Sequence, residues 1–230
     1  MLSKKEACFE DLKAQILTQA LAPGSELDEA SLSEAYGVSR TPMREVIHRL
    51  AGEGFVSLTA NRGAKVVSMD LATMRVFFQT APLVYCNIAR LAAENRTPHQ
   101  LDTLKSIQKR FAEAVDAARP AEMAMENHRF HELFGEMAAN DYLVPSLRRL
   151  LIDHTRLAQM FYRPAAPAEQ VAIKQASQQH DAMIFAIEAQ EIDVVVDLTL
   201  QHWGLSRDRI ERFVRPDPLP LEPPEALIAS

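Results

Sequence analysis

Five of the seven glycines fall between residues 24 and 63, and the rest of the chain to residue 230 holds only Gly135 and Gly204. Glycine supplies the positive φ that tight turns require, so the turn-rich part of the chain is N-terminal and long helices must follow. Six helical segments are expected, at roughly 70–95, 98–118, 119–139, 142–162, 168–190 and 192–214. Pro98, Pro120, Pro145 and Pro164 sit near their ends, where proline costs a helix least. From Arg215 onward five prolines in 16 residues and no apolar period indicate a loose tail.

The N-terminal third has a different rhythm. Phe9, Leu12, Ile16 and Leu17 repeat at helical spacing until Pro23-Gly24 breaks the pattern. Asp28 is placed to cap a short helix through Leu32, Ala35 and Tyr36, which Gly37 ends, and Ser39 to cap the next. In that helix Met43, Val46, Ile47 and Leu50 form one face, and Pro42 lies in its first turn. Phe55-Val56-Ser57-Leu58, a turn at Asn61-Arg62-Gly63 and Ala64-Lys65-Val66-Val67 then read as a β-hairpin. The expected fold is mainly α: a winged helix-turn-helix with a small β-hairpin over 1–68, an all-α bundle over 69–214, and the proline-rich tail over 215–230.

Thr41, Arg44, Glu45 and His48 project opposite the buried face of the third helix, with Arg40 at its N-terminal flank. A helix exposing its first turn in this way fits the major groove, where arginine pairs with guanine O6/N7 or with phosphate. Two arginines alone would sooner suit a solvated helix face; the hairpin at wing distance reverses that in favour of DNA. The net charge of −6 excludes a generally basic nucleic-acid coat. Yet residues 38–65 hold Arg40, Arg44, Arg49, Arg62 and Lys65 against only Glu45 and Glu53, the local patch that DNA binding needs.

These residues carry a resemblance. Pro23-Gly24-Ser25-x-Leu27, Leu32-Ser33-Glu34-x-x-Gly37-Val38-Ser39-Arg40-Thr41-Pro42-x-Arg44-Glu45, Leu50-x-x-Glu53-Gly54-Phe55-Val56 and Asn61-Arg62-Gly63 closely resemble the winged helix of GntR-type bacterial transcription regulators. The resemblance implies DNA contacts at Ser39, Arg40, Thr41 and Arg44, with Arg62 and Gly63 on the wing. Asp28-Glu29-Ala30 stands where the FadR branch often has a further arginine.

Helical projection of the C-terminal histidines turns three of them inward. His131 lies beside Asn127 at the edge of the stripe Phe130, Leu133, Phe134 and Met137, and His128 projects away from it. His180 sits within Ile173, Ala176, Met183, Ile184 and Ile187; His202 shares a face with Val195, Leu198 and Leu205. One buried histidine is usually a core residue, but three on converging faces suit a shared metal ion. His131, His180 and His202, with the Asn127 carbonyl, would hold a divalent ion, zinc first and nickel or manganese as alternatives, with a position left open. His154, on the stripe Leu147, Leu150, Leu151, Ala158 and Phe161, reads either as a core histidine or as an effector contact.

Asn127-x-x-Phe130-His131-x-Leu133, then Asn140, His180 and His202, resemble the helical FCD effector domain of the FadR subfamily, and six helices suggest its VanR-like branch. The resemblance implies a metal held by one Asp or Asn and three His, and a small carboxylic acid as effector. Asn127 stands where the family commonly has aspartate, and Ala81 and Tyr85 where Arg-x-x-x-Glu is frequent. The expected function is a homodimeric regulator on a palindromic double-stranded operator, modulated by an organic acid at a metal-containing pocket. A metal-dependent enzyme with an accessory nucleic-acid-binding domain is the alternative. It lacks an HExxH motif or a carboxylate joined to the histidines, so no catalysis is expected. A purely dimerising helical domain is a third possibility.

Cys8 and Cys86 are too few for a disulfide framework, no secretory leader is evident and no apolar run reaches membrane-span length. A cytoplasmic protein without membrane contact is expected.

Overall fold

The computed structural model describes residues 3–59, 63–164 and 167–214, so Arg62 and the proline-rich tail lie outside the described residues. Helices α1 (Lys4–Leu17), α2 (Glu29–Tyr36) and α3 (Arg40–Gly52) and strands β1 (Glu26–Leu27), β2 (Val56–Thr59) and β3 (Gly63–Val66) build a winged helix. The helix ends have local causes. Ser3 and Asp28 accept the N–H groups of Glu6 (3.1 Å) and Ser31 (2.7 Å), satisfying donors the first turn leaves open. Gly37 ends α2 with φ +60°. Ser39 occupies the N-cap of α3 in extended conformation, but its hydroxyl makes no capping bond; the expected cap is one of position only.

The sheet is antiparallel in the order β1-β3-β2, with Glu26 opposite Lys65 and Thr59 opposite Gly63. A hairpin was expected, and β1 is an addition: two residues are too few to show a period of two. Phe9, Leu12 and Ile16 of α1 pack with Met43, Val46, Ile47 and Leu50 of α3, beneath Val56 and Val66 of the wing.

Six helices follow among the described residues: α4 (Leu71–Asn95), α5 (Pro98–Asp116), α6 (Pro120–Ala138), α7 (Leu143–Phe161), α8 (Pro167–Ala189) and α9 (Ile192–Val214). Asp70 caps α4 through the Thr73 N–H at 2.8 Å. Thr97 and Gln100 form a reciprocal capping box at the start of α5, and Pro98 and Pro120 each sit in a first turn. Helix α6 packs against α4, α5 and α7, while α9 closes the bundle against α4 and α8. At Gly135 a β-carbon would stand 2.8 Å from Leu147 Cδ2, so its absence lets α6 and α7 approach. No helix among the described residues is long and apolar enough to cross a membrane.

Helix α7 serves both halves of the molecule. His154, Ala158 and Phe161 line an internal cavity of the bundle, while Ile152 is part of the winged-helix core. Arg156, fully buried, pairs with Asp153 at 3.2 Å and donates to the Val67 carbonyl at 2.8 Å. Asp153 also accepts from Arg149 at 2.9 Å. Gly54, with φ +86°, lies so close that a β-carbon there would stand 2.9 Å from Arg149 Cδ. Gly54→Ala is therefore expected to cost about 1–3 kcal/mol through left-handed strain and crowding. Urea unfolding measures this, and an unchanged midpoint would mean that the winged helix does not seat on α7 in this way.

Candidate functional site

The ligand nitrogens of His131 on α6, His180 on α8 and His202 on α9 all lie within 4.8 Å of one another, and all three residues are buried. The orientation of two of them is fixed from behind. His180 Nδ1 faces Gln108 Oε1 at 3.0 Å. The Gln108 amide nitrogen is already committed to the Ser177 carbonyl and hydroxyl at 3.0 and 3.1 Å. His202 Nδ1 faces Gln179 Oε1 at 3.2 Å. An amide oxygen only accepts, so each Nδ1 carries the proton and each neutral ring presents a lone pair at Nε2.

Those two Nε2 atoms stand 3.3 Å apart. As a pair of lone pairs they repel, yet the spacing matches the roughly 3.3 Å between two nitrogens each about 2.05 Å from a tetrahedral zinc ion. His131 Nε2 and Asn127 Oδ1 are buried with no hydrogen-bond partner. Unpaired buried acceptors are costly, and a cation satisfies all of them together. The donor set, three imidazoles and one amide carbonyl, therefore fits a first-row divalent ion.

Electrostatics prepare the rings for that role. Burial, reinforced by the neighbouring histidines, holds His131 and His180 well below the ordinary histidine value and His202 down at about 3. The imidazoles are thus uncharged at neutral pH, as metal ligation demands. The Phe130 ring stacks on His180 at 3.9 Å and 12°, restricting its tilt. His154, at about 4 for the same reason of burial, holds its Nδ1 2.8 Å from the Tyr85 hydroxyl. Tyr85 presents its edge to His131, ring centres 5.4 Å apart. Its hydroxyl thus occupies space beside the imidazoles, where Arg-x-x-x-Glu would have brought a carboxylate. Asn127, His154 and His202 line a small cavity of about 10 Å³, the room of one water.

One projection was wrong. His128 does not point away into solvent: it is 5 % exposed, its Nδ1 2.7 Å from the Thr155 hydroxyl of α7, and burial takes it down to about 3. Projecting a helix in isolation missed the winged helix covering that face, where His128 shares a cleft with Phe9, Lys13 and Phe55. Gln108 and Gln179 were also missed. Gln108 interrupts the apolar stripe Leu104, Ile107 and Phe111 of α5, a signal that could have exposed it.

At the other end of the molecule Ser39, Arg40, Thr41 and Arg44 are all exposed on the first turns of α3. Arg44 is held by Glu29 of α2, Nε and Nη2 bonding the two carboxylate oxygens at 3.1 and 3.2 Å. Arg49 belongs elsewhere: it stacks over Phe9 at 3.6 Å and pairs with Glu6 and Glu53. Gly63 opens β3 with φ +77°, next to Arg62.

A winged helix with an open recognition turn, joined to a six-helix bundle that buries converging imidazoles, has the build of a transcription regulator. The chain matches the family described as bacterial regulatory proteins, gntR family, over residues 4–66 and the FCD domain over residues 83–205. It belongs to the GntR-type regulators that carry an FCD domain. It is 25 % identical over 191 residues to the HTH-type transcriptional repressor RspR of Escherichia coli, covering 83 % of this chain and 82 % of that one. It is 27 % identical over 128 residues to the Nta operon transcriptional regulator of Aminobacter aminovorans, 56 % of this chain and 60 % of that one. The fold of E. coli McbR/YncC superposes with a TM-score of 0.77 at 20 % identity, over 93 % of this chain and 99 % of that one. These families and relatives are regulators of transcription, not enzymes.

Proposed function

We propose that this regulator binds a palindromic operator as a homodimer in the cytoplasm, and that an organic acid at a zinc-containing pocket sets its affinity. Residues 1–68 would read DNA, 69–214 would sense and dimerise, and 215–230 would remain outside both tasks. Ser39, Arg40, Thr41 and Arg44 are the groove contacts in this reading, with Arg62 and Gly63 on the wing. Val76 and Leu83, seven residues apart on α4 and 59 % and 67 % exposed, offer an apolar face to a second copy.

His131, His180, His202 and Asn127 would hold the ion. Bound there, it would supply a Lewis-acidic position for a carboxylate oxygen. The protein does the rest: Gln108 and Gln179 fix the imidazole tautomers, Phe130 limits ring motion, and the Tyr85–His154 pair walls the open side. A coupling of about 1–3 kcal/mol between pocket and operator would change DNA affinity roughly 5- to 150-fold.

The observation that supports this reading most is the pair of orphaned acceptors, His131 Nε2 and Asn127 Oδ1, facing two further imidazole lone pairs. Elemental analysis of the purified chain tests it. About one equivalent of metal is expected, vanishing in the double variant His131→Ala/His180→Ala. Metal-free protein that cannot be loaded would reduce the cluster to core packing.

A further inference from the structure

The internal cavity of about 10 Å³ beside the imidazoles holds nothing larger than water. Any acid reaching the ion must therefore keep its body elsewhere, and the bundle offers a place. A groove of about 290 Å³ opens between the end of α5 and the starts of α6 and α8, with Val115, Met123, Tyr162 and Ile173 as its apolar lining and Asp116, Gln170 and Lys174 as its polar one. That volume is at the lower end for small-molecule pockets.

Groove and cavity share one wall, Tyr162, which lines both. The helices run through both as well. Met123 in the groove lies one turn before Asn127 on α6, and Ile173 two turns before His180 on α8, so about 6–10 Å of helix rise separates them. Tyr162 is 2 % exposed, and its ring packs edge-on against Phe111 and Phe161 with centroids 5.7 and 5.2 Å away. Burial raises the pKa of its phenol, so the hydroxyl keeps its proton.

We propose that the groove is a second subsite for the effector's apolar tail, that Tyr162 is the gate between it and the metal cavity, and that the effector class is therefore the linear carboxylic acid of medium length. This rests on the metal-bound carboxylate proposed above. When the phenol swings aside, the two spaces join. The carboxylate enters past it toward the imidazoles, the tail lies on Val115, Met123 and Ile173, and the hydroxyl donates to an oxygen of the acid.

The test uses the full zinc-loaded chain, with acetate, butyrate, hexanoate and octanoate as probes, read by calorimetry and by the fluorescence of Trp203. That residue is the only tryptophan, and its ring lies 5.8 Å from Tyr85 and 5.9 Å from His154. Affinity should rise about fourfold per methylene once the tail passes Tyr162. Val115→Glu, which charges the groove wall, should collapse the octanoate-to-acetate ratio by tenfold or more, with the thermal midpoint confirming a folded chain. Tyr162→Phe should weaken every acid that binds. Acetate binding with no gain in chain length overturns the groove alone; binding of no acid to metal-loaded protein overturns the metal–carboxylate reading and the groove with it.

Discussion

Arg44→Ala should lower affinity for the specific operator by roughly 5- to 150-fold per half-site, the range expected for one lost bidentate base contact. The effect applies twice in a palindrome, so the dimer should lose specific binding almost entirely at working concentrations. Stability should hardly change. The Arg44 side chain is 65 % exposed, and surface ion pairs such as its link to Glu29 contribute little to folding. Arg49→Ala is the internal control. It removes the cation over Phe9 and two carboxylate bonds, so it should loosen the winged helix without relaxing sequence preference. Fluorescence anisotropy with specific and scrambled duplexes separates these outcomes. Specific affinity retained by Arg44→Ala would remove α3 from the groove.

The metal-free protein should be sharply acid-sensitive. His128, His131, His154, His180 and His202 are all buried, and burial lowers every one of their pKa values. In the unfolded chain each returns to about 6.5. Above that pH neither state is protonated and the folded state keeps its full stability. Below it the unfolded chain takes up protons that the folded chain refuses, so stability falls as pH drops. The fall continues toward the values of about 3 and 4 at which His202 and His154 themselves titrate in the fold. The slope is about 1.4 kcal/mol per pH unit for each histidine, at most about 7 kcal/mol per pH unit for all five together. Against a total stability of about 5–15 kcal/mol, unfolding should be complete within about two units below pH 6.5. Zinc, which binds only the neutral rings of the folded state, should move the acid midpoint downward. Urea titrations at pH 7, 6 and 5, with zinc and with chelator, measure this; equal stability at pH 7 and 5 without metal would sink it.

Sequence carried the architecture a long way because the relevant signals are local. Proline in first turns, Asp28 at a cap and 3.6-residue stripes each act within a few residues, so α2 through α9 were legible. Strand β1 was not, since two residues acquire a strand's identity only from pairing with β3. The inward faces of His131, His180 and His202 were readable because each shares a stripe with its own helix's apolar residues. His128 was not, because its cover comes from the winged helix, far away in sequence. Tyr85 was noticed only as a departure from a pattern. Its bond to His154, 69 positions along the chain, is a tertiary fact.

Helix α7 gives the molecule its most economical property. Its successive residues Asp153 and His154 answer to different masters, one to the Arg149–Arg156 clasp under the winged helix and the other to the cavity wall. A rolling camshaft has the same logic: no part of its circumference can turn alone. With side-chain tips about 5–6 Å from the helix axis, a roll of about 10° moves both surfaces by roughly 1 Å at once, in directions about 100° apart. On the proposed reading, a molecule seated against His154 and a duplex seated against α3 would press on one axle.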